Sequence, residues 1–334
     1  MNTPTTLSAG ASRALPLRTG PGRGIAVVIA LLVLAVLPLV VNERFFMTVA
    51  VMVFITAIAA SSLHLIIRIG HVSLGHAAFM GIGAYVSAHV TMKLGLPFGV
   101  AVVAAFIAPA ALALLIGPLV LRLTGKYFVL VTFMFGEIVR LIFVEWISVT
   151  GGGNGIFGVP PPAPIFLDPK AYYFLALVSA ILIIGFIARM LNSEIGRSMD
   201  AIRESEKLAR CSGIPVLKIK VIVFALGCGI VGIAGALQGH FVRYIDPTSF
   251  STIQSLNLVV MNVIGGMYTL IGPLIGTVFL TVLPEMLRGY VELQRVIFGV
   301  IIIIVMAFFP GGIVEIGTRF INRMRKRVSG RTSL

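Results

Sequence analysis

Residues 45–67 read FFMTVAVMVFITAIAASSLHLII, a run of 23 residues without Asp, Glu, Lys or Arg. A run of about 20 apolar residues matches the roughly 30 Å hydrocarbon core of a bilayer. Because the backbone must satisfy its own hydrogen bonds inside lipid, such a run is expected to form a helix. This stretch therefore predicts one transmembrane helix, and similar runs recur along the chain.

The composition of the whole chain agrees with a membrane protein. The 334 residues are 58% hydrophobic and only 11% charged, with a mean hydropathy of +1.06, whereas soluble domains carry about 25% charged residues. The alternating ten-residue strands of a transmembrane barrel are not seen. We predict an all-α polytopic membrane protein of about ten transmembrane helices, at 24–41, 45–67, 76–92, 97–121, 127–147, 172–191, 219–240, 251–270, 271–288 and 294–310.

The distribution of Lys and Arg predicts the orientation of these spans. With the amino terminus inside, 19 of the 26 basic residues fall in inside segments and one, Arg140, lies within a span. Cytoplasmic loops retain Lys and Arg in this way, so both termini are predicted to be cytoplasmic. Only six basic residues fall outside, namely Arg44, Lys93, Lys170, Arg243, Arg288 and Arg295.

The same topology divides the chain into three parts. Residues 1–23 form a polar tail that we predict to be disordered and cytoplasmic. Residues 24–318 form the transmembrane domain, and 319–334 form a basic cytoplasmic tail. Two loops of the transmembrane domain are long: 148–171 outside, rich in Gly and Pro, and 192–218 inside, which is polar.

The net charge of +14 is explained by these retained cytoplasmic cations, so we predict no nucleic-acid partner. The two cysteines, Cys211 and Cys228, have neither metal-ligand spacing nor the pattern of a disulfide framework. We interpret both as ordinary small residues.

Two segments rich in small residues resemble each other. Ser73 is followed ten positions later by Gly83, as Ser255 is by Gly265. The third span is predicted to run outward and the eighth inward, so the pair indicates an inverted repeat, which is typical of transporters. The match is short, and chance similarity stays an open alternative.

Small residues allow helix backbones to approach closely, and glycine also permits helix breaks whose backbone lines a polar path. Both readings stay open for these segments. The pair Gly272-Pro273 predicts a turn between two spans. The candidate residues for the translocation path and its helix breaks are Ser73, Gly75, Gly81, Gly83, Gly265 and Gly266.

Polar side chains within spans need partners because a charge in lipid is costly. Glu137 and Arg140 are three residues apart, which places them on one helix face as a structural intramembrane pair, although a proton relay is an alternative. His71 and His76 are five apart and do not share a face, so we predict no metal site and expect capping or hydrogen bonding near the cytoplasmic interface.

The inside loop contains RSMDAIRESEKLARCS at 197–212. Met199, Ile202 and Leu208 follow a helical repeat, and Gly213 provides a helix stop. We predict one short amphipathic helix at the inner membrane face. A helix that touches only lipid is one reading, but the charges of both signs favour a protein partner.

Enzymatic signatures are not found in the sequence. The run Gly151–Gly153 lacks the following Lys-Ser or Lys-Thr of a phosphate loop, and no nucleophile motif or catalytic constellation is present. We therefore predict that the chain is not an enzyme and has no ATPase site of its own, no cofactor and no catalytic residues.

Several segments together resemble the LivM-type permeases of branched-chain amino acid ABC transporters. The resemblance covers roughly 45–315 and rests on the order and spacing of five stretches. They are GHVSLGHAAFMGIGAY at 70–85, GKYFVLVTFMFGEIVRL at 125–141, TGGGNGIFGVP at 150–160, RESEKLARCSGIPV at 203–216 and GGMYTLIGPLIG at 265–276.

The resemblance implies a multi-pass permease of the bacterial inner membrane that pairs with a second, homologous permease. It implies two cytoplasmic ABC ATPase subunits and a periplasmic substrate-binding protein as further partners, beside membrane lipid. The inside helix would then be the coupling helix that enters a groove on an ATPase. The coupling residues implied by the match are Arg203, Glu204, Glu206, Ala209 and Gly213.

The implied function is import of branched-chain, hydrophobic amino acids by alternating access driven by ATP. Relatives within the same family are associated with urea, short amides and aromatic acids, so a different small solute is an alternative. An ion-coupled secondary transporter is another, with Glu137 and Glu285 as its candidate carboxylates. A membrane-embedded transferase would need clustered acidic residues, and Asp168, Asp200 and Asp246 are far apart in sequence. A homodimer or a heterodimer of permeases both remain open, and the resemblance favours the heterodimer.

Overall fold

A computed structural model of the chain describes residues 43–286 and the isolated positions 34, 38, 297, 299, 300, 303 and 312. The predicted first and tenth spans and both predicted tails therefore lie outside the continuous described stretch. About four fifths of the continuous part is helical, with eleven α-helices, three short 3-10 helices and two short strands.

The membrane-length and shorter apolar helices are α1 (Arg44–Arg68), α2 (His76–Met92), α3 (Phe98–Val120), α4 (Lys126–Glu145), α6 (Pro169–Leu191), α9 (Val216–Val242), α10 (Thr252–Gly265) and α11 (Ile271–Met286). The remaining helices lie in the long loops: α5 (Ile147–Thr150), α7 (Glu194–Glu204) and α8 (Glu206–Cys211). The strands are β1 (Ile156–Phe157) and β2 (Tyr244–Ile245), and the 3-10 turns are Gly152–Asn154, Pro164–Leu167 and Pro247–Phe250.

A helix is found at each of the eight predicted spans that fall within the described stretch. Five of them, α1, α3, α4, α6 and α9, are long and apolar enough to cross a membrane. The apolar helices α10 and α11 are shorter, and the 17-residue α2 is intermediate in length. The chain is thus a multi-pass helical membrane protein, while the count of ten spans stays a prediction.

Two predictions about local structure are wrong. Gly272-Pro273 does not form the turn between spans: α11 begins at Ile271, and residues 266–270 connect it to α10. Pro273 is tolerated there because N–H groups in the first helical turn have no intrahelical partner. The second error concerns the inside loop, where the single predicted helix is two helices, α7 and α8, separated at Ser205.

The helices form an inner group and an outer group. The apolar window of α1 is 83% buried and that of α9 is 61% buried, whereas α3, α4 and α6 are only 22–28% buried. Helix α9 packs on α1, α2 and α3. One reason is the crossing of Gly83 in α2 with Gly232 in α9, where a Cβ on Gly83 would lie 2.3 Å from the Gly232 carbonyl oxygen.

The long loops gather at the two ends of α9. Strand β1, from the loop predicted outside, pairs antiparallel with β2 just after α9. At the other end, Lys220 in α9 contacts α8, from the loop predicted inside. A helix of 27 residues is about 40 Å long, so the two loop clusters lie at opposite ends of α9, while the side of the membrane that each one faces stays a prediction.

Candidate functional site: the helix break and the docked helix pair

The connection between α1 and α2 is a non-helical segment, residues 69–75, held by two neighbouring helices. The Leu74 amide donates to Thr132 Oγ1 of α4 at 3.2 Å, and the Ala77 amide donates to Ser255 Oγ of α10 at 2.9 Å. The first N–H groups of a helix have no partner within it. Ser255 therefore supplies a cap from another helix, and Gly75 itself provides no side-chain cap.

The predicted path residues Ser73 and Gly75 both lie in this break. Ser73 is fully buried, and its hydroxyl has no hydrogen-bond partner in the described part of the chain. A Cβ on Gly75 would lie 2.4 Å from the Thr132 carbonyl oxygen. Gly75 is therefore required for the close approach of the break to α4.

The other predicted path residues occupy different kinds of position. Gly81 and Gly83 lie within the unbroken helix α2, where they make room for Phe143 and for α9. Gly265 ends α10 against the backbone of Gly272, and Gly266 has a φ of 123°, which favours glycine. The serines of the proposed inverted repeat also differ, since Ser73 precedes α2 while Ser255 lies inside α10. The repeat stays a prediction.

Buried polar side chains surround the break on α1, α2 and α10. Ser62 Oγ lies 2.8 Å from His76 Nε2, and Asn262 Nδ2 donates to the Ala60 carbonyl at 3.0 Å. His64 is fully buried in the same helix as Ser62. Such groups are costly among apolar helices, so their hydrogen bonds to neighbouring helices help to hold α1, α2 and α10 together.

The two predicted interface histidines differ in setting. His71 lies in the break, with ring nitrogens 3.2 Å from the Ile69 carbonyl oxygen and 3.3 Å from that of Leu123. His76 is the first residue of α2 and is fully buried. Among the described residues, no group of three or more His, Cys, Asp or Glu could hold a metal ion.

Glu137 and Arg140 pair within α4, with Arg140 Nε 2.8 Å from Glu137 Oε2. The other carboxylate oxygen accepts a hydrogen bond from Thr252 Oγ1 of α10 at 2.5 Å. Both charged side chains remain 30% exposed. The pair therefore links α4 to the first residue of α10 in addition to satisfying its own charges.

Helix α7 is docked on the membrane helices by Arg68, the last residue of α1. Arg68 Nη2 donates to Asp200 Oδ2 of α7 at 2.7 Å, and Arg68 Nη1 donates to the Tyr268 carbonyl at 2.9 Å. Arg203 of α7 lies 3.8 Å from Asp200 and stacks 5.1 Å from the ring centroid of Tyr268. Because Tyr268 lies between α10 and α11, these contacts join α7 to α1 and to the α10–α11 turn.

Helix α8 is docked on the start of α9 by Glu206. Its carboxylate lies 2.7 Å from Lys220 Nζ and 2.6 Å from Arg210 Nη2. Burial disfavours the charged carboxylate, but the hydrogen bonds from Lys220 and Arg210 outweigh that effect and lower the pKa of Glu206. Lys220 is almost fully buried, at 2% exposure, so Glu206 provides the neutralising charge that a buried ammonium needs.

A small apolar cluster completes this docking. Ile202 of α7, Ala209 of α8 and Val216 of α9 are buried together. Leu208, which the helical repeat placed with Met199 and Ile202, is instead 69% exposed. The reason is Ser205, whose extended backbone separates the helices and whose hydroxyl caps α8 by accepting from the Leu208 amide.

The predicted coupling residues therefore divide into two sets. Arg203, Glu206 and Ala209 contact other parts of this chain, while Glu204 and Gly213 are exposed. Sequence reasoning missed the partners Arg68, Asp200, Lys220 and Tyr268. A signal was available for Lys220, because a lysine inside an apolar span requires a counter-charge. The pairing of Arg68 with Asp200 could not be predicted from local sequence, because the two residues are 132 positions apart.

The loop after α4 and the loop after α9 form one surface at the other end. Phe157 stacks on Tyr244 with ring centroids 4.4 Å apart, and His240 Nδ1 lies 2.7 Å from the Pro160 carbonyl oxygen. Asp246 accepts from Thr248 and Ser249. Burial raises the pKa of the Asp246 carboxyl, but these hydrogen bonds outweigh burial and lower it. The TGGGNG segment is held by Tyr244, whose hydroxyl donates to the Asn154 carbonyl at 3.0 Å.

Comparison with known proteins shows the family to which the chain belongs. Residues 45–306 match the model of the family described as branched-chain amino acid transport system / permease component. The chain belongs to that family. Its helix break, its docked loop helices and its paired end loops are thus features of a permease.

The relatives of this permease include two differently named permease proteins, LivM and LivH. It is 30% identical to the high-affinity branched-chain amino acid transport system permease protein LivM of Salmonella typhimurium, over 85% of this chain and 73% of the relative. The figures are the same for LivM of Escherichia coli. It is 27% identical to LivH of Salmonella typhimurium over 42% of this chain and 44% of the relative. No solved structure matches the chain.

Proposed function

We propose that this permease is a subunit of a binding-protein-dependent ABC importer of the bacterial inner membrane, with branched-chain amino acids as its substrates. The observation that carries the proposal is the docking of α7 and α8 on α1, α9 and the α10–α11 turn. A transport subunit without its own ATPase needs a rigid element that receives movement from an ATPase, and this helix pair has suitable connections.

The proposed coupling surface is the exposed side of the helix pair, formed by Glu204, Lys207, Leu208, Cys211 and Gly213. Leu208 is a large apolar side chain at 69% exposure among charges of both signs, which suits a protein groove better than lipid. Arg203, Glu206 and Ala209 would act from behind this surface by holding the helices on the membrane domain. Movement of α7 would then reach α1 through Asp200 and Arg68.

The proposed path lies beside the break at 69–75, near Ser73 and Gly75. Non-helical backbone at membrane depth is tolerated where it is buried in protein or lines a cavity. The buried hydroxyl of Ser73 and the polar side chains of α1 and α10 support this position. In the proposed cycle, ATP binding draws the coupling surfaces together and opens the path outward, and hydrolysis resets it.

The substrate proposal rests on the names of LivM and LivH, which are permeases of branched-chain amino acid transport systems. A permease that receives its substrate from a binding protein needs little affinity of its own. The surface formed by TGGGNG and β2 is the proposed docking site for that protein. The similarity to both LivM and LivH favours a heterodimer with a second, homologous permease.

The first experiment uses the native Cys211, which is exposed on α8, whereas Cys228 is buried. A thiol-specific photo-crosslinker is attached to the tagged chain in native membranes, and the crosslinked and co-purified proteins are identified. We expect a crosslink to an ATP-binding subunit, with a second permease in the purified complex. The Cys211→Ser chain, labelled in the same way, is the matched control.

Two results would contradict the proposal. If the crosslinked chain carried no ATP-binding subunit and uptake were abolished by an ionophore and not by ATP depletion, the protein would be an ion-coupled transporter. If the complex formed and uptake of radiolabelled leucine were competed by urea or short amides but not by valine and isoleucine, only the substrate assignment would be wrong.

A further inference from the structure

A cavity of about 510 Å³ lies at the predicted cytoplasmic end, between the loop after α3, helix α8 and the first turn of α9. Its lining contains four cations, Arg122, Arg210, Lys218 and Lys220, against the single carboxylate of Glu206. It is separate from the exposed coupling surface, and neither the helix break nor the end loops contribute to it. Nothing in the proposed transport cycle uses it.

The charges of this cavity are only partly neutralised. Glu206 is shared by Lys220 and Arg210 at 2.7 and 2.6 Å. Arg122 and Lys218 are exposed, and neither forms an ion pair within the described part of the chain. The cavity therefore keeps a net positive charge at neutral pH, and its two free cations come from different segments, the loop after α3 and the start of α9.

The surroundings of the cavity are apolar on the side of the membrane. Leu115 and Leu119 are four residues apart and so lie on the same face of α3, and Arg122 follows Leu119 by three residues, in the turn just beyond the helix. Leu115 is 77% exposed and Leu119 is 74% exposed. Leu217, which lines the cavity itself, is 37% exposed. The exposed leucines of an outer helix thus come directly before Leu121 and Arg122, two residues that line the cationic cavity.

We infer that this cavity binds the phosphate headgroup of an anionic phospholipid, with an acyl chain along Leu115 and Leu119 of α3. Basic cavities between the ends of membrane helices are suited to anionic headgroups. A free phosphate ion shares the headgroup chemistry, but it makes no use of the leucines. A bound lipid would join α3, α8 and α9 and so stabilise the docking of α8.

The test is titration of the purified full-length chain in neutral detergent with phosphatidylglycerol, observed by native mass spectrometry, with phosphatidylcholine as the zwitterionic comparison. The double variant Arg122→Gln/Lys218→Gln removes the two free cations. The matched control Arg189→Gln/Arg197→Gln removes two exposed cations at the same end of the molecule, outside the cavity. The exchange variant Arg122→Lys/Lys218→Arg keeps both charges.

We expect the affinity for phosphatidylglycerol to fall about 30-fold in the Gln double variant. Each Lys or Arg near an anionic lipid contributes about fivefold to the affinity, and the variant removes two of them. It should stay unchanged in the control and in the exchange variant, and phosphatidylcholine should bind weakly throughout. An equal loss in the control variant would overturn the proposal in favour of diffuse surface attraction.

Two further outcomes would also overturn it. If millimolar inorganic phosphate displaced the bound lipid, the cavity would be a soluble-phosphate site. If the Gln double variant bound lipid like the unmodified chain but lost its co-purifying ATP-binding subunit, the cavity would be part of a protein interface. The thermal unfolding midpoint of each variant is measured in phosphatidylcholine and compared with that of the unmodified chain. An unchanged midpoint shows that a fall in affinity is not caused by misfolding.

Discussion

Arg68 Nη2 lies 2.7 Å from Asp200 Oδ2 and thereby joins the last residue of α1 to α7. The same guanidinium also donates to the Tyr268 carbonyl. One side chain thus connects three elements that are distant in sequence. Because the Arg68 side chain is only 15% exposed, its charge depends on these partners, and separating α7 from α1 would leave it unpaired.

The first prediction concerns this link. We expect Arg68→Gln and Asp200→Asn each to reduce ATP-dependent uptake and to lower stability. A double-mutant cycle on the thermal unfolding of the chain should give a coupling of about 1–2 kcal/mol between the two residues. Arg197→Gln is the control, because Arg197 is 71% exposed on the same helix and exposed pairs contribute little. Additive effects of the two substitutions would contradict the proposed link.

A second prediction follows from Glu206 and Lys220. The pKa of Glu206 is lowered in the folded protein, so the stabilisation by its carboxylate is present above an unfolded pKa of about 4.5 and is lost as the pH falls through the folded value. Glu206→Gln should therefore lower the unfolding midpoint at pH 7, and the difference from the unmodified chain should shrink below about pH 4.5.

The control for this pH dependence is Glu194→Gln. Glu194 is 93% exposed and 3.6 Å from Arg197, so its substitution should leave the pH profile of the unfolding midpoint unchanged. A difference between the Glu206→Gln and unmodified chains that is constant from pH 7 to pH 3 would show that ionisation of Glu206 does not hold α8 in place.

The third prediction concerns the crossing of α2 and α9. In Gly83→Ala the new methyl group would meet the Gly232 carbonyl oxygen at 2.3 Å, and overpacking of this kind costs about 1–3 kcal/mol. Gly185→Ala in α6 is the matched control, since a Cβ there meets no atom within 4 Å. The unfolding midpoint should fall only for Gly83→Ala. Equal midpoints for the two variants would contradict the tight crossing.

The fourth prediction concerns the cap that α10 supplies to α2. Ser255→Ala removes the acceptor of the Ala77 amide, and loss of a helix cap costs about 0.5–2 kcal/mol. We expect faster amide hydrogen exchange in the first turn of α2, measured by mass spectrometry. Ser179→Ala is the control, because Ser179 Oγ donates only to the Leu175 carbonyl of its own helix. Unchanged exchange in Ser255→Ala would mean that the break is held by other contacts.

The positions of the eight helices at the predicted spans of the described stretch were predictable, because the backbone of an apolar run must satisfy its own hydrogen bonds within lipid and does so as a helix. Gly213 was likewise readable as a helix stop, and its φ of 81° agrees. The separation of α7 from α8 was not predicted, although Ser205 followed by Glu206 is a local helix-start signal. The continuous amphipathic pattern on both sides obscured it.

The residues that hold the candidate site together were less predictable. Ser73, Gly75 and Gly265 were recognised as small residues, but a small residue is equally suited to packing and to a helix break. The structure separates the two roles, with Gly83 inside a helix and Gly75 in the segment before it. Sequence spacing does not distinguish these positions, because the contact that decides each one comes from a different helix.

The sequence by itself determined the class of the protein, the approximate helices and the family, since hydropathy and local order along the chain are properties of neighbouring residues. The tertiary structure alone decided which polar groups meet: Arg68 with Asp200, Glu206 with Lys220, and Ser255 with the Ala77 amide. Each of these pairs is separated by between 14 and 178 residues. A buried polar group in an apolar environment is costly unless it is hydrogen-bonded. Its partner here comes from a different helix, so helix packing in three dimensions determines which groups pair.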